Sequence, residues 1–238
     1  MTLQTVFKRR EVKYLVSADV RARLEPLLAQ HMVADEHGKS TICNVYFDTP
    51  LCLLTRRSIE HPQYKEKVRL RSYGTAGQHT PAYLELKKKV DGVVYKRRIQ
   101  TNAPLAMRFI REGDQRLIGD SQVARELTWT RNYYGDLEPA VYVSYDREAF
   151  FAAGDRDFRV TFDQDIRWRS RDVDLTVEPG GEALLPPGMQ LMELKCGGAM
   201  PLWMAQFLSA NGLCCTGFSK VGLAYTRMFE RKQTPLCA

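Results

Sequence analysis

The stretch Lys65-Glu66-Lys67-Val68-Arg69-Leu70-Arg71-Ser72-Tyr73 alternates between charged and apolar side chains. Successive side chains of a β-strand point to opposite faces, so this alternation predicts a strand with one cationic face and one apolar face. The cationic face would carry Lys65, Lys67, Arg69 and Arg71, and the apolar face Val68 and Leu70. Period-two alternation of this kind is the main signal along the chain.

Alternating segments predict strands near residues 5–16, 41–48, 65–73, 81–89, 92–100, 140–148, 157–168 and 189–196, with a short one at 173–178. Asp91-Gly92 predicts a tight hairpin between two of them. Helices are predicted from Ser17 or Asp19 to about residue 30, with Pro26 bending the helix or marking its boundary. Three more are predicted at 121–133, 201–210 and 220–230.

Many strands with a few helices predict an α+β fold built on a large antiparallel sheet or barrel, as a single domain over residues 1–238. The predicted strands place further cations on shared faces. These cations are Lys13, Lys87, Lys96, Arg98, Arg147, Arg159 and Lys195. The acids on the same faces are Glu11, Glu85, Glu193 and Asp163.

Two interpretations fit these charged faces. A half-buried antiparallel sheet keeps charges in water on its polar face. However, solvated faces normally mix both signs, and here cations predominate. A sheet of many strands curls, and closure would place one face around a cavity. Cations around a cavity repel one another unless an anion is bound, so this interpretation predicts a ligand with a run of phosphates.

Composition agrees with an anionic ligand without naming it. Lys and Arg number 35 against 28 acids, a formal net charge of +7, which leaves nucleic acids, phosphate-rich small molecules and acidic membranes open. We expect no nucleic-acid partner, since the usual motifs are missing, and the P-loop pattern is missing as well. We expect no membrane span, since no stretch of about 18 apolar residues occurs. Six cysteines without a CxxC pair predict reduced thiols and a cytoplasmic location.

Carboxylates among the cations have two explanations. Oxygen ligands beside phosphates suit Mg²⁺ or Mn²⁺, and each acid can equally be an ion-pair partner of a neighbouring cation. For Glu85 we favour the ion pair. For Glu193, in a strand that ends at Gly197-Gly198, we favour the metal, with Glu11 as a second ligand.

An ordered set of motifs resembles a known family. The segments are 7–14, 45–49, 67–74, 84–87, 145–147, 159–163, 191–195 and 218–220, which read FKRREVKY, VYFDT, KVRLRSYG, LELK, YDR, RVTFD, LMELK and FSK. Together they resemble the VTC-type polyphosphate polymerase domain of the CYTH, or triphosphate tunnel metalloenzyme, superfamily, over roughly residues 5–228.

The resemblance implies an eight-stranded antiparallel barrel, the triphosphate tunnel, with peripheral helices and a bound divalent metal, Mn²⁺ or Mg²⁺. It implies transfer of the γ-phosphate of ATP to inorganic polyphosphate. Catalytic contacts would come from Lys13, Arg69, Arg71, Lys87 and Lys220. Further phosphate contacts would come from Lys96, Arg147, Arg159 and Ser219. Glu193 would hold the metal. The shared faces add Lys67, Arg98 and Lys195 to the phosphate contacts and Glu11 to the metal ligands.

Two other functions fit the same motifs. The first is a triphosphate hydrolase or nucleotide cyclase, although Arg9 stands where the superfamily's ExExK pattern has its first acid. The second is a sensor that binds polyphosphate or a nucleotide without turning it over, since binding and transfer need nearly the same cations.

Overall fold

The computed structural model describes residues 10–60, 63–91, 93–155 and 157–233, apart from the side chains of His37 and of residues 231–233. Nine strands lie in the described residues: β1 Arg10–Ser17, β2 Met32–Asp48, β3 Tyr64–Tyr73, β4 Ala82–Val90, β5 Val93–Thr101, β6 Glu138–Ala152, β7 Arg159–Arg169, β8 Glu182–Ala183 and β9 Met189–Cys196. The six α-helices described are α1 Ala18–His31, α2 Leu53–Ile59, α3 Ala103–Glu112, α4 Gln122–Tyr134, α5 Leu202–Ala210 and α6 Lys220–Gln233.

The strands form one antiparallel sheet in the order β1-β9-β7-β6-β2-β3-β4-β5, with the two-residue β8 paired to β7. The prediction of an α+β fold with an eight-strand antiparallel arrangement and peripheral helices is thereby confirmed. In the described part of the chain, β1 and β5 stand at the two ends of this order. Among the described helices, none has both the length and the apolar composition that a membrane crossing requires.

The chain forms two compact units, each with its own core. The first unit falls within Met1–Thr41, Tyr145–Ile166 and Leu185–Phe218, and the second within Ile42–Ser144, Arg167–Leu184 and Ser219–Ala238. In the first unit, α1 and α5 pack their apolar faces on β1, β7 and β9 through Leu24, Phe162 and Phe207. In the second, β2, β3 and β4 pack against α3 and α4 through Leu70, Phe109 and Leu127. That the whole chain is one domain stays a prediction.

Most predicted elements are present, with shifted ends. Ser17 caps α1 by accepting a hydrogen bond from the Val20 amide. The helix continues through Pro26 to His31, so Pro26 does not mark its boundary; that Pro26 bends the helix stays a prediction. Residues 5–9, including Arg9, and Gly92 of the predicted hairpin lie outside the described residues.

Other elements differ from the prediction. β2 and β6 are longer than predicted, and α2 and α3 were missed. Residues 173–178 form bends and a turn instead of a strand, with Leu175 buried in the second core. The guanidinium of Arg169 donates to carbonyl oxygens of this loop, including those of Asp174 and Glu178. A side chain thus satisfies the loop carbonyls that a strand would have paired.

Buried Asp48 fixes the start of α2. Its carboxylate accepts hydrogen bonds of 2.8 Å from the amides of Thr49, Leu54 and Thr55. Cys52, just before the helix, has a left-handed backbone with φ of 54°. A carboxylate at a helix start satisfies amides that have no partner inside the helix.

We expect Asp48→Ala to lower the free energy of unfolding by about 2–3 kcal/mol, because buried amides lose their acceptor. Chemical denaturation measures this loss. Asp120→Ala is the matched control: its carboxylate, 83% exposed, pairs with Arg125 at the surface, and the change should stay within about 0.5 kcal/mol. Equal, small changes in both variants would contradict the role of Asp48.

Candidate functional site

Three of the predicted cations of the second unit line one face of β3. Val68 and Leu70 are buried in the second core, which turns Lys67, Arg69 and Arg71 to the opposite face, as the alternation predicts. Hydrogen bonds of all three side chains run to neighbouring elements of the same unit. We call this group, with the residues that it contacts, the second-unit cluster.

Glu85 of β4 holds two cations of this cluster. Arg69 stands directly opposite it in the β3–β4 ladder and donates from Nε to the carboxylate at 2.6 Å. The Lys96 ammonium contacts the other carboxylate oxygen at 2.8 Å. The ion-pair interpretation of Glu85 is therefore confirmed.

The charges of the cluster shift the pKa values of both partners. Burial acts to raise the pKa of Glu85, but Arg69, Arg71 and Lys96 outweigh it and lower the pKa to about 2. Partial burial of its ammonium lowers the pKa of Lys96 to about 8, with Glu85 opposing the shift and Arg69 adding to it. Glu85 is thus ionised at neutral pH, while Lys96 loses its charge in the mildly alkaline range.

Two residues of β2 that carried no predicted role support the arginines. Asn44 stands opposite Arg71 in the β2–β3 ladder and accepts a hydrogen bond from its Nε at 3.0 Å. Tyr46 stands opposite Arg69, and its hydroxyl accepts a hydrogen bond from Arg69 Nη1 at 3.2 Å. The register between β2 and β3 brings these pairs together, and alternation within one strand does not predict that register.

The start of α6 adds Ser219 and Lys220 to the second-unit cluster. Lys67 Nζ donates to Ser219 Oγ at 3.3 Å, and the same oxygen accepts from the Gly222 amide at 3.3 Å. Gly222 is packed tightly here, since a Cβ at this position would lie 3.2 Å from the Ser219 side chain. The charge of Lys220 acts on the Tyr46 phenol together with those of Arg69 and Arg71.

Lys87 and Arg98 lie at the exposed margin of this cluster. Lys87 stands opposite Lys67 in the β3–β4 ladder and opposite Lys96 in the β4–β5 ladder. Lys87 is exposed. Arg98 is also exposed, with its guanidinium 5.0 Å from the centre of the Tyr83 ring. Among the described residues, neither has a close carboxylate contact like the one that holds Arg69.

The first unit gathers its predicted cations around Glu193 of β9. This carboxylate is 8% exposed, and it lies 3.8 Å from Lys13, 3.5 Å from Arg147 and 3.8 Å from Lys195. Glu11 contacts the Lys13 ammonium at 3.4 Å. Both predicted metal ligands therefore contact the same ammonium. We call this group the first-unit cluster.

Asp163 of β7 fixes Arg147 in the first-unit cluster. The buried carboxylate accepts two hydrogen bonds from the guanidinium, at 2.6 and 2.7 Å, in the fork geometry that Arg and carboxylates favour. Burial opposes the charge of Arg147, but Tyr145, Asp163 and Glu193 raise its pKa well above the usual value. For Lys195, burial is the largest effect and lowers the pKa despite Glu193.

Three further contacts place Lys13 and Arg159. Lys13 Nζ donates to the carbonyl of Phe218 at 3.0 Å, and the Lys13 carbonyl accepts from the Thr216 amide at 2.8 Å. Arg159 forms an ion pair with Asp35 at 3.2 Å. Asp35 lies in the first part of β2, which the sequence did not predict as a strand. Lys13 belongs to the first-unit cluster through Glu11 and Glu193, while Arg159 forms an ion pair with Asp35.

A metal site made by protein ligands alone is not evident in the described residues, where no group of three His, Cys, Asp or Glu side chains is placed to hold an ion. Metal binding by Glu193 and Glu11 stays a prediction. A cavity of about 440 Å³ in the second unit is lined by residues of α3, α4 and the 136–139 segment, with Phe47. It contains none of the predicted site residues, so it does not define the site.

Comparison with known proteins agrees with this fold. A candidate adenylate cyclase from Bacillus halodurans aligns with a TM-score of 0.55 at 13% identity, over 90% of this chain and 94% of that one. A candidate adenylyl cyclase from Hippeastrum, described as having a dominant triphosphatase activity, aligns with a TM-score of 0.50 at 15% identity, over 95% and 97%. No curated protein matches the chain.

The sequence model of the VTC domain matches residues 8–229. This range holds every predicted cation, carboxylate and hydroxyl of both clusters, and the match confirms the resemblance that the strand motifs predict. The chain belongs to the VTC domain family.

Proposed function

We propose that this protein is a polyphosphate polymerase that transfers the γ-phosphoryl group of ATP to a polyphosphate chain, with Mn²⁺ or Mg²⁺. The observation that carries the proposal is that buried carboxylates hold predicted phosphate ligands in both units of a VTC domain. Glu85 holds Arg69 and Lys96 in the second unit, and Asp163 holds Arg147 in the first.

Fixed cations suit phosphoryl transfer, because the transition state spreads negative charge over the transferred oxygens. Arginine clamps two oxygens with its planar fork, and lysine acts as a mobile point charge. Arg69, Arg71 and Arg147 are held by side-chain acceptors before a ligand arrives. Their positions therefore need little rearrangement on binding, which lowers the free-energy cost of ordering them.

The reaction breaks the bond between the γ-phosphorus and the oxygen that joins it to the β-phosphate. A terminal oxygen of polyphosphate forms the new bond, and ADP leaves. That oxygen is already ionised at neutral pH, so the acceptor needs no base to remove a proton. Lys and Arg side chains fit this chemistry, and they would hold the donor and acceptor phosphates in line.

The carboxylates of the first unit fit a metal that also binds phosphate. Mg²⁺ commonly takes one or two carboxylates, with substrate phosphates and waters completing its shell. Glu193 and Glu11, beside Lys13, would supply these carboxylates. When bound, the metal would neutralise charge on the phosphate oxygens. Glu193 is also an ion-pair partner of Lys13, Arg147 and Lys195, so it would orient these cations towards the same oxygens.

Incubation of the protein with ATP and Mn²⁺, followed by gel electrophoresis of the products, tests the proposal. We expect a ladder of polyphosphate. We expect Arg69→Ala to reduce its formation by roughly 10-fold to 100-fold, the loss of one charge-assisted contact. Arg116→Ala, whose side chain is 90% exposed, should leave the ladder unchanged. Orthophosphate or pyrophosphate alone would instead identify a hydrolase or a cyclase, and unchanged ATP a sensor.

We expect Glu193→Gln to reduce Mn²⁺-dependent turnover by roughly 100-fold or more, since the change removes a metal ligand and keeps the shape of the side chain. Binding of inorganic triphosphate without metal should be retained, because the neighbouring cations remain. A Mn²⁺ titration of turnover and calorimetric binding of triphosphate measure the two effects.

Glu85→Gln is the matched control for the metal effect. Glu85 pairs with Arg69 and Lys96, so its loss should weaken triphosphate positioning while the Mn²⁺ concentration for half-maximal turnover stays the same. If Glu193→Gln lowers the melting temperature and keeps a normal Mn²⁺ dependence, Glu193 is an ion-pair partner and the metal role is wrong.

A further inference from the structure

Tyr46 is the buried phenol of the second-unit cluster. It lies on β2, where it stands directly opposite Arg69 of β3. The residue is 9% exposed, and its hydroxyl accepts the hydrogen bond from Arg69 Nη1 at 3.2 Å. No role in binding or catalysis follows from the sequence pattern, because Val45-Tyr46-Phe47 reads as an ordinary apolar strand segment.

The hydroxyl hydrogen of Tyr46 is not used in the hydrogen bond with Arg69, where the Tyr46 oxygen is the acceptor. A hydroxyl carries one donor hydrogen and two acceptor lone pairs. Since Arg69 occupies a lone pair, the hydroxyl hydrogen can be donated to another group. In the described hydrogen bond of this hydroxyl, Tyr46 is the acceptor and Arg69 the donor. The surroundings are cationic, with Arg69 and Arg71 on β3 and Lys220 on α6, and these are the side chains proposed to hold phosphate.

We propose that Tyr46 is a further phosphate-binding residue, whose hydroxyl donates a hydrogen bond to an oxygen of the anion held by Arg69 and Arg71. The phenol would act together with the guanidinium that it already contacts. Arg69 is held between the Glu85 carboxylate and the Tyr46 oxygen, so the same side chain also positions this arginine. The inference rests on the proposed phosphate binding by the second unit.

A phenol differs from the neighbouring arginines because it can lose its proton. Burial acts to raise the pKa of Tyr46, but the charge and hydrogen bond of Arg69, with Arg71 and Lys220, outweigh burial and lower the pKa below its usual value. Ionisation removes the donor and places a negative charge beside the anion. The contribution of Tyr46 to binding is therefore present at neutral pH and is lost as the pH rises through its pKa.

Another group of the cluster also titrates in the alkaline range. Lys96 has a pKa of about 8, whereas Glu85, with a pKa lowered to about 2, stays ionised throughout. Lys67 and Lys220 add further positive charge to the cluster. Their effects are common to the wild type and to a variant changed only at Tyr46. The ratio of the two affinities at each pH therefore isolates the phenol.

The test measures calorimetric binding of inorganic triphosphate, without metal, by the full chain and by Tyr46→Phe between pH 7 and pH 9.5. We expect Tyr46→Phe to bind roughly 10-fold or more weakly at pH 7, the size of one hydrogen bond to a charged group. The difference should shrink as the pH rises. Tyr142→Phe is the matched control, since it removes the hydroxyl of another buried tyrosine of the same unit. The centre of the Tyr142 ring lies 3.6 Å from the guanidinium carbon of Arg169. This variant should bind triphosphate as the wild type does.

Equal affinities of the wild type and Tyr46→Phe at every pH would overturn the inference while leaving phosphate binding intact. A purely structural role would lower the melting temperature of the variant without a pH-dependent affinity difference. If the wild type itself does not bind triphosphate, the proposed function fails and this inference fails with it.

A second variant keeps the test independent of folding. Tyr46→3-fluorotyrosine retains the ring and the hydroxyl and makes the phenol more acidic. We expect its affinity to match that of the wild type at pH 7. As the pH is raised, its affinity should begin to decline at a lower pH than that of the wild type. An unchanged pH profile would contradict donation by the Tyr46 hydroxyl.

Discussion

Repulsion between like charges is the constraint on which both clusters depend. Cations a few ångströms apart destabilise one another by several kcal/mol where solvent screening is weak. Buried carboxylates relieve this repulsion: Glu85 in the second unit, and Asp163 and Glu193 in the first. Each acid lies directly beside an arginine, so it fixes the position of that arginine as well as its charge. In the second unit, the one carboxylate of Glu85 pairs with two cations, Arg69 and Lys96, which leaves this cluster suited to an added anion.

The same carboxylates link the fold to the chemistry. Glu85 and Glu193 belong to central parts of strands whose alternate residues are buried in the two cores. The strands therefore place these acids as firmly as they place Leu84 or Leu194. Cations that depend on rigid acids need less ordering when a ligand binds. We infer that the cores contribute to phosphate binding through the positions of the acids.

Alternation within single strands predicted the parts of the fold and site that depend on local sequence. It predicted β3, β4, β5 and β9 to within a few residues and placed Lys67, Arg69 and Arg71 on one face. Alternation within a strand does not predict which distant strands pair or in which register. Asp35 meets Arg159 across 124 residues, and Tyr46 meets Arg69 only through the β2–β3 register. The signals of α3 were in the sequence, with Asn102 as its cap and Gly113 in a left-handed conformation at its end.

The most direct test of the central claim is the melting temperature of the protein with inorganic triphosphate, compared with sodium chloride at equal ionic strength. A ligand that binds the folded chain at about 100 times its dissociation constant stabilises it by about 2.7 kcal/mol, which corresponds to a rise of at least about 5 °C at this size. The account predicts such a rise with triphosphate and a much smaller one with chloride. Equal shifts in the two salts would contradict the claim that these clusters are built to hold a run of phosphates.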